Sequence, residues 1–493
     1  MKFWADASVR TSILRIGLAI IFVAASATSA AAATRTLSIT APSKIVIGAI
    51  ASFTLDDSAK SSGDFITWDF DTKDGVQIDK AGYRATYVFP TAGTFTIRAT
   101  VKNVKGIAIY KSKTISIAGR SYQESGAITE RDCHYSADSP LIIENLRISH
   151  VVGNAIDLEN CSHIIIRNNY ITGTDSVDRV DDSVGNAIHI QNSSDITIQN
   201  NIIVENQSGI LIYGKSAFEP LESVLISGNY ISGSRWDQSV KVVFGSGIVM
   251  SNNIARNNGD FAVIQSHRMS GFNAQNSAHI TMFGNLATGS SSDGFSVDGL
   301  PDVAYLGKPF ISTDAKVYDN VSRKNAEQGV WLNIVHGGSV YNNLLSDNTW
   351  PTQDVHGNGI FLESDVSDFN IYDNRIFNNQ GSGITVEASS NNNIHNNLIY
   401  SDRQSNFQGI TIGNWVGTWL HPGATRNNVV MANTVTNYLW CLDAADGTGT
   451  QFIKNNLNHC GVGIRIGKKA VDTVLSGNTF TKTLSLDIYR EGS

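Results

Sequence analysis

From about residue 142 to the C-terminus, apolar and polar residues alternate in short runs, and the runs recur. Ile164-Ile165-Ile166-Arg167-Asn168-Asn169-Tyr170-Ile171 is one copy, and Ile196-Thr197-Ile198-Gln199-Asn200-Asn201-Ile202-Ile203 is another. Each run ends in Asn or Asn-Asn; a small turn follows, then Gly and a second alternating run. Alternation with period two predicts strands. Recurrence at a fixed spacing predicts units that bury their apolar faces by stacking on one another.

The recurring Asn sets the register: Asn169, Asn201, Asn229, Asn253, Asn285, Asn320, Asn343, Asn374, Asn397, Asn433, Asn456 and Asn478. The shortest intervals are 22 to 24 residues, and longer ones contain insertions. A coil of three short strands with tight turns needs about that length. An Asn at the same inward turn of every coil can bond to its neighbours above and below and satisfy buried turn backbone. A leucine-rich solenoid is disfavoured, because the alternation is period two throughout and no helical stretch is long enough. This Asn-punctuated pattern resembles the right-handed parallel β-helix (pectin-lyase-like) superfamily over residues 141–493. The resemblance implies the fold and says little about chemistry.

The strand after each Gly carries the more informative alternation. Ala155-Ile156-Asp157-Leu158-Glu159, Ala187-Ile188-His189-Ile190-Gln191, Gly294-Phe295-Ser296-Val297-Asp298, Gly329-Val330-Trp331-Leu332-Asn333 and Gly359-Ile360-Phe361-Leu362-Glu363 align. The second and fourth places point inward; the third and fifth point outward. In an irregular stretch, reading 247–258 as the Asn phrase makes 261–265 the next outward-facing strand. Insertions at 215–221, 300–313 and 414–424 follow this strand, and others at 175–184, 347–358 and 401–408 precede it. Loops on both sides predict a walled groove for an extended polymer.

Residues 37–118 have another rhythm. Short β runs alternate with turns, and the last are strongly period two, which predicts a small β-sandwich. Trp68-Asp69-Phe70-Asp71, Tyr87-Val88-Phe89 and Ala92-Gly93-Thr94-Phe95-Thr96-Ile97 resemble a PKD domain. The resemblance implies a spacer or weak binding module with no chemistry. The Gly-Asp-Gly usual in that family after Trp-Asp-Phe is replaced by Asp71-Thr72-Lys73-Asp74-Gly75. Residues 119–140 are expected to link the two parts or to cap the first coil. The expected fold class is therefore all-β: a PKD-like sandwich, then a right-handed parallel β-helix.

Lys2, Arg10 and Arg15 flank a short apolar run followed by small residues up to Ala33, which predicts a cleaved export signal over 1–33. The mature chain is then expected to be secreted or periplasmic, monomeric and free of membrane insertion. A net charge of −7 without a Lys/Arg block argues against a nucleic-acid partner. Cys133 with Cys161 and Cys441 with Cys460 lie about one repeat apart. They either staple neighbouring coils near each end or remain four buried thiols.

Coils stack about 4.8 Å apart, which converts the outward column Gln265, Asp298, Asn333, Glu363, Glu387 into distances. Asp298 and Glu363, two coils apart, fall roughly 9–10 Å from each other. Inverting glycosidases hold their carboxylates about 6.5–9.5 Å apart. Glu363 and Glu387, one coil apart, approach the roughly 5–5.5 Å of retaining enzymes. Stacked acids also suit Ca²⁺, with Asp365 and Glu387 as candidate ligands. β-Elimination needs a cation for a uronate carboxylate and a base near its C5 proton; Tyr213, Lys215, Lys241, His267 and Arg268 are candidates. Trp331, Asn333, Gln265, Trp415, Trp419 and Lys241 are the candidate sugar-binding residues, and Trp350 lies on a groove loop. The residue set marks out a polysaccharide-cleaving enzyme, with β-elimination of an acidic glycan slightly ahead of hydrolysis by Asp298 and Glu363. Uronate epimerisation or non-catalytic carbohydrate adhesion are the other readings.

Overall fold

The computed structural model describes residues 35–103, 105–176, 183–216, 219–236, 238–259, 270–299, 310–349, 357–413 and 425–492. Residues 1–33, where an export signal is expected, lie outside them, as do His267, Arg268, Gln265, Trp350, Trp415 and Trp419.

From Gln123 onward the chain winds as a parallel coil with three strands per turn. First strands such as Ser162–Arg167 and Ser194–Gln199 stack in register into a 13-stranded sheet. Second strands such as Tyr170–Thr172 and Ile202–Val204 form another row, and third strands such as Asn186–Gln191 and Ser208–Tyr213 a third. Inward Ile, Val, Leu and Phe from all three rows form one continuous buried column from Ile143 to Ile466. The alternating pattern produces this directly, because a period-two strand sends every second side chain inside.

The Asn ladder holds the corner between first and second strands. Asn285 illustrates the geometry: its backbone N–H and Nδ2 both donate to Asn320 Oδ1, at 2.9 and 3.1 Å, and Nδ2 also reaches Met250 O. The same bonds run from Asn169 to Asn478. One position differs from the expected register. Asn455 occupies the ladder and Asn456, one residue on, is exposed at the start of the next strand. Adjacent asparagines leave the sequence ambiguous by one place, and only the inward one can bond both ways. A second ladder, Asn325–Asn348–Asn379, lines the next corner.

Gln123–Ser125 pairs with Leu146–Ser149, and Ile128–Arg131 pairs with Ile156–Glu159, so part of 119–140 is itself wound as a rung. Disulfides join Cys133 to Cys161 and Cys441 to Cys460, each between neighbouring coils.

The N-terminal unit is two facing β-sheets. One is Leu37–Thr40, Ile50–Asp57 and Arg84–Val88; the other is built on Phe65–Asp69, Gly93–Lys102 and Ala108–Ala118. Phe53, Trp68, Phe70 and Phe89 fill the space between them. This unit lies flat on the second-strand face of the coil. Ile202, Ile254, Leu286, Val321, Leu344 and Phe377 point outward from that face and join the sandwich core in one buried cluster. Burying each of these side chains contributes about 1.5–3 kcal/mol. Polar contacts fix the position. Asp79, fully buried, accepts from Arg256 Nη2 at 2.5 Å and lies 3.5 Å from Arg323 Nη2. Its other oxygen accepts from Phe70 N at 2.9 Å. Lys80 donates to Gly284 O, and burial brings its pKa down to about 7. The Arg375 guanidinium sits 3.7 Å above the Phe65 ring.

Candidate active site

The third-strand face is not covered by the sandwich. Its outward third places stack as Asp157, His189, Leu211, Lys241, Asn273, Ser296, Trp331 and Phe361. Its fifth places stack as Glu159, Gln191, Tyr213, Val243, Gln275, Asp298, Asn333 and Glu363. Asp298, Asn333 and Glu363 thus occupy three successive rungs, in the order expected.

The column differs from expectation one rung earlier. The strand pairing with Phe295–Asp298 is Phe272–Gln275, not 261–265, and before it comes Val240–Val243. Phe272 and Ala274 are the inward residues there. The insertion at 259–269 separates this strand from its Asn phrase, so counting from the Asn placed it too early. Gln275, not Gln265, is therefore the neighbour of Asp298, and Asn273 joins it.

A cleft of about 300 Å³ opens over these rungs, lined among others by Lys241, Asn273, Gln275, Asp298, Trp331 and Glu363. Asp298 is 6 % exposed. Asn273 Nδ2 donates to its Oδ1 at 2.8 Å, and Gln275 Nε2 donates to its Oδ2 at 2.7 Å. Burial pushes its pKa up to about 6; the two amides and the charge of Lys241 restrain the rise without cancelling it. Asp298 is thus a carboxyl that stays protonated well above the usual range and faces a cleft. Glu363 Oε2 accepts from Trp331 Nε1 at 2.8 Å, which fixes both the carboxylate and the indole. Trp331 and Phe361 give the cleft an aromatic side.

Two further acids, Asp293 and Glu327, line the same cleft from the turn before the third strand. The Ser292 hydroxyl lies 2.5 Å from Glu327 Oε2 and 3.3 Å from Asp293 Oδ2. Asp293 Oδ1 also accepts from Gln328 N of the next coil, as Asn154 does from Asn186 N. Sequence spacing did not single them out, because they stand in a turn position filled elsewhere by neutral amides.

Other expected residues fall away from the cleft. Lys215 forms a surface ion pair with Glu219 at 2.6 Å within its own turn. Tyr213 stands three rungs from Asp298 and meets Phe244 edge to face at 5.4 Å. Glu387 follows the end of strand Ile384–Val386, is buried, and is not among the cleft lining. Asp365 lies 3.3 Å from His336 Nε2 on the surface. Asp365 N donates to Ala388 O at 2.9 Å, one residue beyond Glu387, and among the described residues no group of three or more His, Cys, Asp or Glu is placed to hold a metal.

Residues 70–229 and 178–266 match the family described as "Right handed beta helix region". Residues 227–413 match that described as "Periplasmic copper-binding protein (NosD)". The start of the first match runs through the sandwich, whose sheets are antiparallel; the rest coincides with the coil. The protein is a right-handed parallel β-helix with a small β domain docked on one face. No curated protein matched the sequence. A mutant of the periplasmic alginate epimerase AlgG aligns at 14% identity over 74% of this chain and 78% of its own, with a TM-score of 0.48. The Yersinia enterocolitica family 28 exopolygalacturonase aligns at 9% identity over 92% and 99%, with a TM-score of 0.34. The Streptococcus pneumoniae surface adhesin PfbA aligns at 12% identity over 76% and 91%, with a TM-score of 0.40.

Proposed function

We propose that this protein is an extracytoplasmic, carbohydrate-active enzyme that hydrolyses a glycosidic bond, with Asp298 as general acid and Glu363 as general base. The single observation behind this reading is the pair itself: a buried Asp298 with a pKa of about 6, and Glu363 two rungs on in the same column. Asp298 keeps a proton to give to the leaving oxygen up to about pH 6, whereas Glu363 can take one from water. Two rungs separate the backbones by roughly 9–10 Å, which leaves room for a water and a sugar ring between the carboxyls, the arrangement of inverting enzymes. Trp331 and Phe361 supply apolar faces for the ring. Two disulfides suit an oxidising compartment.

β-Elimination is supported by one observation, Lys241 close enough to Asp298 to act on its charge, where it could neutralise a uronate carboxylate. The copper named for the second matched family finds no suitable donors among the described residues: all four cysteines are in disulfides, and no histidine cluster forms. No step is derived through it.

The test is incubation with polygalacturonate, alginate, xylan and β-glucan. New reducing ends without an unsaturated uronate chromophore, lost in both Asp298→Asn and Glu363→Gln, are expected. The chromophore would establish β-elimination instead. Glycan binding without any cleavage would leave an adhesin.

A further inference from the structure

Two rungs before Lys241, the same outward column holds a second ordered polar group that the proposed cleavage does not use. His189 Nδ1 lies 2.7 Å from Asp157 Oδ1. Arg131 Nη2 donates to Asp157 Oδ2 at 2.6 Å, and Arg131 Nε lies 3.0 Å from Glu159. Burial works against the charge on Asp157, but the bonds from His189 and Arg131 outweigh it and bring the pKa down to about 2. With Nδ1 engaged by Asp157, the ring is held in one orientation and Nε2 is the nitrogen left to meet a ligand. Among the described residues Nε2 has no hydrogen-bond partner, although the side chain is only 9 % exposed. Gln191 stands two residues along the same strand, with its side chain in the neighbouring outward column. Tyr213, one rung further on, pairs with Gln191 in register and is 37 % exposed, its ring held edge to face by Phe244.

A ring nitrogen of fixed direction, a polar amide and an exposed aromatic ring on two neighbouring columns of the groove are the parts of a sugar subsite. We propose that His189, Gln191 and Tyr213 form a remote glycan-binding subsite that takes a neutral sugar unit, one hydroxyl of which hydrogen-bonds with His189 Nε2. The neighbouring Asp157 and Glu159 carry the same charge as a uronate carboxylate and disfavour one there. The subsite lies four rungs from Ser296, the column neighbour of Asp298, or roughly 19 Å along the groove. Short oligosaccharides seated at the cleft do not reach it. The proposal rests on the groove binding glycan, as argued above, but not on which bond is broken.

The test compares short and long oligosaccharides of xylan, β-glucan and polygalacturonate. His189→Ala and the surface variant Tyr213→Ala are expected to raise KM for long neutral chains about three- to tenfold, the worth of one hydrogen bond or stacking contact. KM for short chains and kcat for both should hold. Equal losses on short and long chains, or no loss, would overturn the subsite. In Asp298→Asn, where turnover is removed, the imidazole nitrogen resonances of His189 are expected to move when long neutral chains are added and to stay with short ones. Long-chain binding with His189 unmoved overturns the subsite alone. No binding of any of these glycans by the unaltered protein overturns the functional reading and the subsite with it.

Discussion

On the face of the coil made by second strands, Asp79 is buried between Arg256 and Arg323. On the face made by third strands, Asp298 is buried beside Asn273 and Gln275, with Lys241 further off. Both carboxylates are nearly or wholly removed from water; Asp79 is carried by the docked sandwich and Asp298 by a rung of the coil. The difference lies in the partner. Two guanidinium groups give Asp79 countercharge, so that group ties one domain to the other. Amides satisfy the hydrogen bonds of Asp298 but supply no countercharge, so desolvation wins and the proton stays on. The groups facing each buried acid decide whether it stays charged as a fastening or keeps its proton.

The comparison breaks most readily at Asp79. Asp79→Ala strands two buried arginines, and a loss of about 3–5 kcal/mol is expected. Thermal unfolding and limited proteolysis between the domains would read it; an unchanged transition would mean that the apolar patch alone holds the sandwich. Next comes the acid in the cleft. Asp298 binds its proton to about pH 6 when folded and to 3.8 in the open chain, so the folded state holds more protons between those values. Stability therefore falls as pH rises through that window, by roughly 2–3 kcal/mol in all. Asp298→Asn should flatten that slope in denaturant titrations from pH 4 to 7, and a slope that persists would place the titration elsewhere. The smallest effect is expected from Gln275→Leu, which removes one donor from the carboxylate. The Asp298 titration, followed by carboxyl carbon resonance, should move upward by roughly one pH unit. A downward shift would show that the amide does not hold the charged form.

The rungs were legible because each repeats the same small problem. An inward Ile or Val every second residue and an Asn at each corner leave the same mark in every coil, and Asp298, Asn333 and Glu363 follow by counting. Counting failed where an insertion broke the period: Phe272–Gln275 was placed ten residues early, and with it Asn273 and Gln275 were missed. Asn455 and Asn456 are chemically identical, so only the corner distinguishes them. Nothing periodic announces a contact between residues 177 apart, so Asp79 and Arg256 drew no notice until they were seen together. His189 stood in the aligned strands, but its meaning depends on Asp157, one coil away in space and 32 residues away in sequence.

The sandwich touches second strands from Ile202 to Phe377, and so lies across many consecutive turns of the winding. It acts as a splint. Turns bound to a common rigid bar cannot shear, spread or bend independently, and the trough on the far side inherits that stiffness. A polymer entering the trough must therefore adopt the pitch it finds there. On the reading proposed above, glycans whose natural repeat already matches the spacing of the turns lose least on entry, and the docked domain, though on another face of the coil, bears on which of them fit.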